Sequence, residues 1–234
     1  LIPAKKYSER VNSGEILRKI IRIGLPSALE NIIYNVAMTL VIRFLNQMDA
    51  QGLNVTARSY TMQITNFSYC VGAALAQANA IMTGWHIGAK EYDACDRGTR
   101  KAAIIGVIVA VILETMFALC SGWIMQLFSK DPQMVSLVGK LLAIDIVLEM
   151  GRVTNLVYGQ ALKTSGDAVF PVVMGACFMI LCSVGGTYLF GIRLGLLAVG
   201  AYIGMAGDEC VRAVGMYLRW KSGKWKEKGL VKSR

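Results

Sequence analysis

The 234-residue chain is 55% hydrophobic and only 17% charged, with a mean hydropathy of +0.49, which excludes a water-soluble globular domain and reads as an integral membrane protein. Its net charge of +10 does not point to nucleic acid, because Lys and Arg gather in the gaps between apolar runs, the distribution that fixes orientation in a bilayer. The six cysteines show no C-x-x-C spacing and His86 is the single histidine, so the sequence offers neither a metal site nor a catalytic triad, and the cysteines read as reduced thiols.

The chain opens at Leu1 without methionine or signal-peptide pattern and reads as a fragment. Residues 1–23 are expected to be a basic cytoplasmic linker that ends in an amphipathic interfacial helix, with Ile16, Leu17, Ile20 and Ile21 opposite Arg18, Lys19 and Arg22. Gly24-Leu25-Pro26 is expected to redirect the chain into a first span at 26–46. A second span at 60–85 is unusually polar, with Gln63, Asn66, Ser68, Gln77 and Asn79, and its small residues 72–76 allow close helix approach. A basic loop at 86–101 precedes a third span at 102–128, which holds Glu114 with no basic residue within a turn. That side chain is expected to be protonated or bonded across helices, as a structural residue rather than a carrier.

The fourth span, 135–162, carries Glu149, Arg152 and Asn155 at every third position. A charge near the middle of a span costs roughly 2.5–3.5 kcal/mol on insertion scales, so these residues must face protein or water and have partners. Glu149 and Arg152, at i and i+3, can partner each other. The flexible 163–167 segment then breaks the helix, and spans at 169–190 and 196–218 follow, the last with Asp208, Glu209 and Arg212 spaced for ion pairing. The basic tail 219–234 reads as a topological anchor. Eighteen of the 25 Lys and Arg residues fall on one side of this layout, which predicts a plasma-membrane all-α protein with six transmembrane helices (24–218) and both termini cytoplasmic.

Several motifs occur in one order. Gly24-Leu25-Pro26-Ser27 opens the first span, Ile87-Gly88-Ala89-Lys90 follows the second, and Leu127-Phe128-Ser129-Lys130-Asp131-Pro132 forms a turn. Leu162-Lys163-Thr164-Ser165-Gly166-Asp167 comes next, and Arg219-Trp220-x-x-Gly223-x-Trp225 closes the set. Together they resemble the carboxy-terminal half of multidrug and toxic compound extrusion (MATE) transporters. The resemblance implies one six-helix lobe of a two-lobed secondary antiporter that exports cationic or amphipathic organic compounds in exchange for protons or sodium, with no cofactor beyond that ion. The lipid bilayer, small organic cations and the amino-terminal lobe or a second copy are the implied partners. The chain departs from the family in supplying only one lobe, and in holding Arg152 where some members use an acid.

Candidate substrate or coupling-ion ligands are Glu30, Asn31, Asn35, Gln63, Asn66, Glu149, Arg152 and Asn155, and Asp208, Glu209 and Arg212 form a structural or coupling ion pair. Glu149, Arg152 and Asn155 read equally well as packing residues, and Glu30 as a carboxylate reaching the interface. A non-transporting half-protein that pairs with another membrane chain is the alternative. An intramembrane aspartyl protease built on Gly166-Asp167 and Asp145 is a remote one.

Overall fold

A computed structural model describes residues 13–49 and 52–228. Residues 1–12 of the linker and interfacial helix expected at 1–23, and the end of the basic tail, 229–234, lie outside the described residues. The described residues form helices joined by short turns: α1 (Ser13–Met48), α2 (Leu53–Gly88), α3 (Tyr92–Leu119), the single-turn α4 (Ser121–Met125), α5 (Pro132–Thr164), α6 (Val169–Phe178) and α7 (Leu197–Lys221). α6 continues through two π-helical stretches, Met179–Val184 and Thr187–Arg193, and a short 3₁₀ turn, Lys224–Glu227, follows α7.

The boundaries follow from local chemistry. Pro132 sits in the first turn of α5, where its missing N–H costs nothing, and the Asp131 side chain accepts from the backbone N–H of Gln133 at 2.9 Å. Gly166, at φ +92°, takes the left-handed conformation that ends this helix. α1 runs unbroken through Gly24-Leu25-Pro26, so the redirection expected there is absent. α3 starts at Tyr92, so much of the expected basic loop forms its first turns, and the helix ends at Leu119, short of the expected 128.

α5 is the hub, packed against α2, α3 and α7. Its Val153 fits between two glycines: a Cβ on Gly72 of α2 would lie 2.8 Å from Val153 Cγ2, and one on Gly106 of α3 would lie 2.7 Å from Cγ1. α3 turns small and polar residues inward (Cys95, Thr99, Ala103, Gly106, Ala110, Glu114) and leaves Ile104, Ile105, Ile108 and Ile112 exposed. This pattern, inverted relative to a soluble protein, suits a lipid surround. Among the described residues three helices are long and apolar enough to cross a membrane: Ala28–Gln47, Tyr92–Leu119 and Val169–Arg193.

Among the described residues there are two apolar cores. One, built on Val41, Leu45, Leu141, Leu142 and Tyr202, lies toward the α1–α2 turn; the other, built on Val153, Val157, Leu162, Trp220 and Trp225, lies toward the α2–α3 turn. The described part of the basic tail, as far as Lys228, is folded onto the second core. Trp225 stacks on Trp220 at 4.1 Å, and the Trp220 indole N–H donates to Asp96 at 2.9 Å. Buried Asp167 receives Arg219 Nε at 2.6 Å and Lys228 Nζ at 2.7 Å. Burial works to raise the Asp167 pKa, but the hydrogen bonds and positive charge of these two cations outweigh it and hold the carboxyl below the usual range.

Candidate functional site

Between α1, α2, α5 and α7 lies a cavity of about 580 Å³. Its charged lining consists of Glu30 from α1, Asp145, Arg152 and Lys163 from α5, and Glu209 and Arg212 from α7, with Tyr34, Tyr69 and Tyr202 as the aromatic walls. The π-helical stretch after α6 contributes Met179, in keeping with the tendency of π-bulges to occur at functional positions.

α5 and α7 meet at Gly151, where a Cβ would lie 2.8 Å from the backbone of Glu209 and of Cys210. Only a residue without a side chain permits this approach, and it brings the two charged segments together. Arg152 pairs with Glu149 on its own helix and reaches Glu209 across the gap, Nε to Oε1 at 3.5 Å. Asn155 Nδ2 donates to the other Glu209 oxygen at 3.0 Å. Arg212 binds Glu209 at 2.8 Å and Asp208 at 2.9 Å, and Ser183 Oγ donates to Asp208 at 2.9 Å. Both pairings open to Arg212 are therefore made at once. The Arg152 guanidinium also lies 5.9 Å from the Tyr69 ring centroid, within range of a cation–π contact.

At the α2–α3 end of the cavity, Lys163 Nζ donates to Glu30 Oε2 at 2.5 Å and joins α1 to α5. Of the sequence candidates, Glu30, Asn31, Asn66, Arg152, Asn155, Glu209 and Arg212 line the cavity. Glu149 is fully buried behind Arg152, and Asp208 behind Arg212. Asn35 and Gln63 are exposed and stand outside the lining. Gln63 lies one position round α2 from Met62, which does line it, and one position is a 100° rotation. Asn35 spends its amide on the Asn31 carbonyl at 2.8 Å.

Sequence reasoning did not place Lys163, Asp145, Tyr34, Tyr69, Tyr202 or Gln160 in the lining. Lys163 stood in the 162–167 motif, and its pairing with an acid across the bundle was the part without a local signal. Glu114 is fully buried, and neither of its carboxyl oxygens has a hydrogen-bond partner. The cross-helix bond foreseen as one option for it is not made among the described residues. No group of three or more His, Cys, Asp or Glu side chains arranged to hold a metal ion occurs among the described residues.

The fold has counterparts among known proteins. The MatE family model matches residues 26–189. The protein named uncharacterized transporter YisQ of Bacillus subtilis is 36% identical over 217 residues, covering 93% of this chain and 47% of YisQ. The Probable multidrug resistance protein NorM of Thermotoga maritima is 22% identical over 234 residues, covering 99% of this chain and 48% of its own length. Among solved structures, the MATE transporter ClbM in complex with Rb+ superimposes with a TM-score of 0.82 at 18% identity, covering 92% of this chain and 50% of ClbM. This chain spans about half the length of the curated relatives it matches. Members of the matched family are membrane transporters, not enzymes, which removes the protease alternative. With 164 consecutive residues under the family model and 93% of the chain aligned with YisQ, the chain belongs to the MatE family.

Proposed function

We propose that the chain is the carboxy-terminal lobe of a secondary antiporter that exports cationic or amphipathic organic compounds in exchange for protons or sodium. The observation that carries this reading is the cavity: Glu30, Asp145 and Glu209 share it with Lys163, Arg152 and Arg212. Glu30 and Glu209 are each held by one or more of these cations. An organic cation or coupling ion that binds Glu30 or Glu209 must displace one of these internal cations. Its affinity then depends on how α1, α5 and α7 sit, and such differential affinity is what coupling requires.

Glu30, Asn31, Asn66, Arg152, Asn155, Glu209 and Arg212 make up the proposed binding surface. Glu149 acts through Arg152, and Asp208 through Arg212. α1, α2, α3, α5, α6 and α7 are six membrane crossings. The excess of Lys and Arg at the α2–α3 end supports a reading in which that end and both termini face the cytoplasm and the protein sits in the plasma membrane. The partner is a second lobe, supplied by the same polypeptide or by another copy, and the two rock about their shared face.

The test uses the native assembly, meaning this chain with whatever lobe accompanies it in its membrane, reconstituted in vesicles loaded with ethidium. Export should follow an imposed proton or sodium gradient, and Glu209→Gln should abolish gradient-driven export. Failure of the unaltered protein to export under either gradient would favour the non-transporting half-protein. An intact native mass near 25.5 kDa, against one about twice that, tells a separate chain from half of a longer one.

A further inference from the structure

From the buried groups that the cavity does not use, we infer that Glu114 carries an exchangeable proton in a sealed layer behind the cavity and passes it to the cavity through Asp145. The coupling role of this proton rests on the antiporter reading; the proton site itself does not.

The register of the helices places the two acids together. Gly106 of α3 packs on Val153 of α5, and the two helices run in opposite directions. Eight residues along α3, about 12 Å, leads to Glu114, and eight residues back along α5 leads to Asp145. Glu114 accordingly lies within electrostatic reach of Asp145, Glu149 and Arg152. Glu149 is committed to Arg152, and Arg152 is shared with Glu209. Glu114 and Asp145 make no ion pair among the described residues, and both Glu114 oxygens and Asp145 Oδ2 are buried without a hydrogen-bond partner. From α2 the neighbouring polar group is the Ser68 hydroxyl, itself unpartnered, and Arg58 lies further along that helix. From α7, Tyr202 and Glu209 face Asp145 rather than Glu114. No other ionisable residue of α3 lies within three turns of Glu114.

Two neighbouring carboxylates in a dry layer cannot both be ionised without a cation, and an unpaired buried carboxylate takes up a proton instead. Asp145 lines the cavity, whereas Glu114 does not. The route is thus a single relay. The O–H bond of Glu114 breaks, the proton forms a new O–H bond on Asp145 Oδ2, and Glu114 remains as a carboxylate facing Arg152. Asp145 then releases the proton to water in the cavity. One proton moves and no other reactant is consumed.

Infrared spectroscopy of the native assembly in detergent tests this without knowledge of the substrate. A protonated-carboxyl band should be present in the unaltered protein, vanish in Glu114→Gln and move in Glu114→Asp, which guards against a Gln variant that fails to fold. Transfer to D₂O should shift the band within the time of transport, and Asp145→Asn should slow that shift at least about tenfold, since a positioned acid–base group contributes roughly 10²–10⁴ in rate. A band that survives Glu114→Gln, a band that stays unshifted in D₂O, or an unchanged shift rate in Asp145→Asn would each overturn the proposal. Full proton-driven ethidium export by Glu114→Gln would overturn the carrier role. An unaltered protein that exports nothing yet shows the infrared signature would remove the antiporter reading and leave the proton site standing.

Discussion

Around Asp167 one carboxylate meets two cations, Arg219 and Lys228. In the layer between the two apolar cores, five buried carboxyl side chains (Glu114, Asp145, Glu149, Asp208 and Glu209) meet two arginines, Arg152 and Arg212. The first region has charge to spare and leaves no Asp167 oxygen without a donor. The second is short of positive charge and leaves oxygens on four of its five acids unpartnered. Cations in excess hold a carboxylate in one state, as a structural clasp needs. A deficit of cations leaves protonation open, as an ion-exchanging layer needs.

Removing a cation from the deficient layer gives the largest expected effect. Arg152→Met leaves Glu149 buried and unpaired, and breaking such a pair from one side costs about 3–5 kcal/mol. Thermal unfolding in detergent should show that loss. The double variant Arg152→Met/Glu149→Gln should regain much of it, since removing both charges also removes the desolvation cost. If the double variant is no more stable than the single one, the cost of Arg152→Met lies in packing rather than charge.

Breaking the clasp costs less. Asp167→Asn strands two cations, but the Lys228 side chain is 45% exposed and regains water, so about 2 kcal/mol is expected, below the range for fully buried pairs. The sign with pH follows from the lowered Asp167 pKa. The clasp contributes its full stability above the unfolded carboxyl value, about 3.9, and loses it as pH falls through the lower folded value. Docking of the tail, read from Trp225 fluorescence in variants that retain this tryptophan alone, should therefore hold from neutrality to about pH 4 and fail below. Asp167→Asn should remove that transition.

The glycine contacts around Val153 separate packing from charge. Gly106→Ala would place a methyl group 2.7 Å from Val153 Cγ1, and overpacking of this kind costs about 1–3 kcal/mol. The added variant Val153→Ala should restore most of that loss by opening the space. Such a result would show that α3 is held to α5 by shape at this level and that the acids of the layer above are not needed for the contact.

What the sequence made legible were features with local causes. Apolar runs placed the helices, and the turn ending at Pro132 and the flexible 163–167 segment bracketed α5. The Glu149–Arg152 pair was readable because both partners lie one turn apart. Asn155 to Glu209, Lys163 to Glu30 and Arg219 to Asp167 were not readable as pairs, because each joins helices whose mutual rotation is set by close approaches such as Gly151 on α7. The polar residues of α2 were harder still. Ser68 and Thr65 are buried, Asn66 lines the cavity and Gln63 is exposed, so polarity alone could not tell one face of that helix from another.

Gln63 supplies the smallest expected effect and the cleanest test of that distinction. It is exposed and outside the cavity lining, three residues from Asn66, which forms part of the lining. Gln63→Leu should leave unfolding within about 0.5 kcal/mol, the range for surface substitutions away from special features. Asn66→Leu should also leave stability little changed, because its side chain is exposed to the cavity rather than packed, but it should weaken ethidium binding by replacing a polar contact with an apolar one. Equal binding by the two variants would mean that the α2 wall does not touch the ligand, and would move the proposed binding surface toward α1, α5 and α7. Weaker binding by Gln63→Leu alone would mean that α2 is rotated by about a quarter turn when ligand is bound.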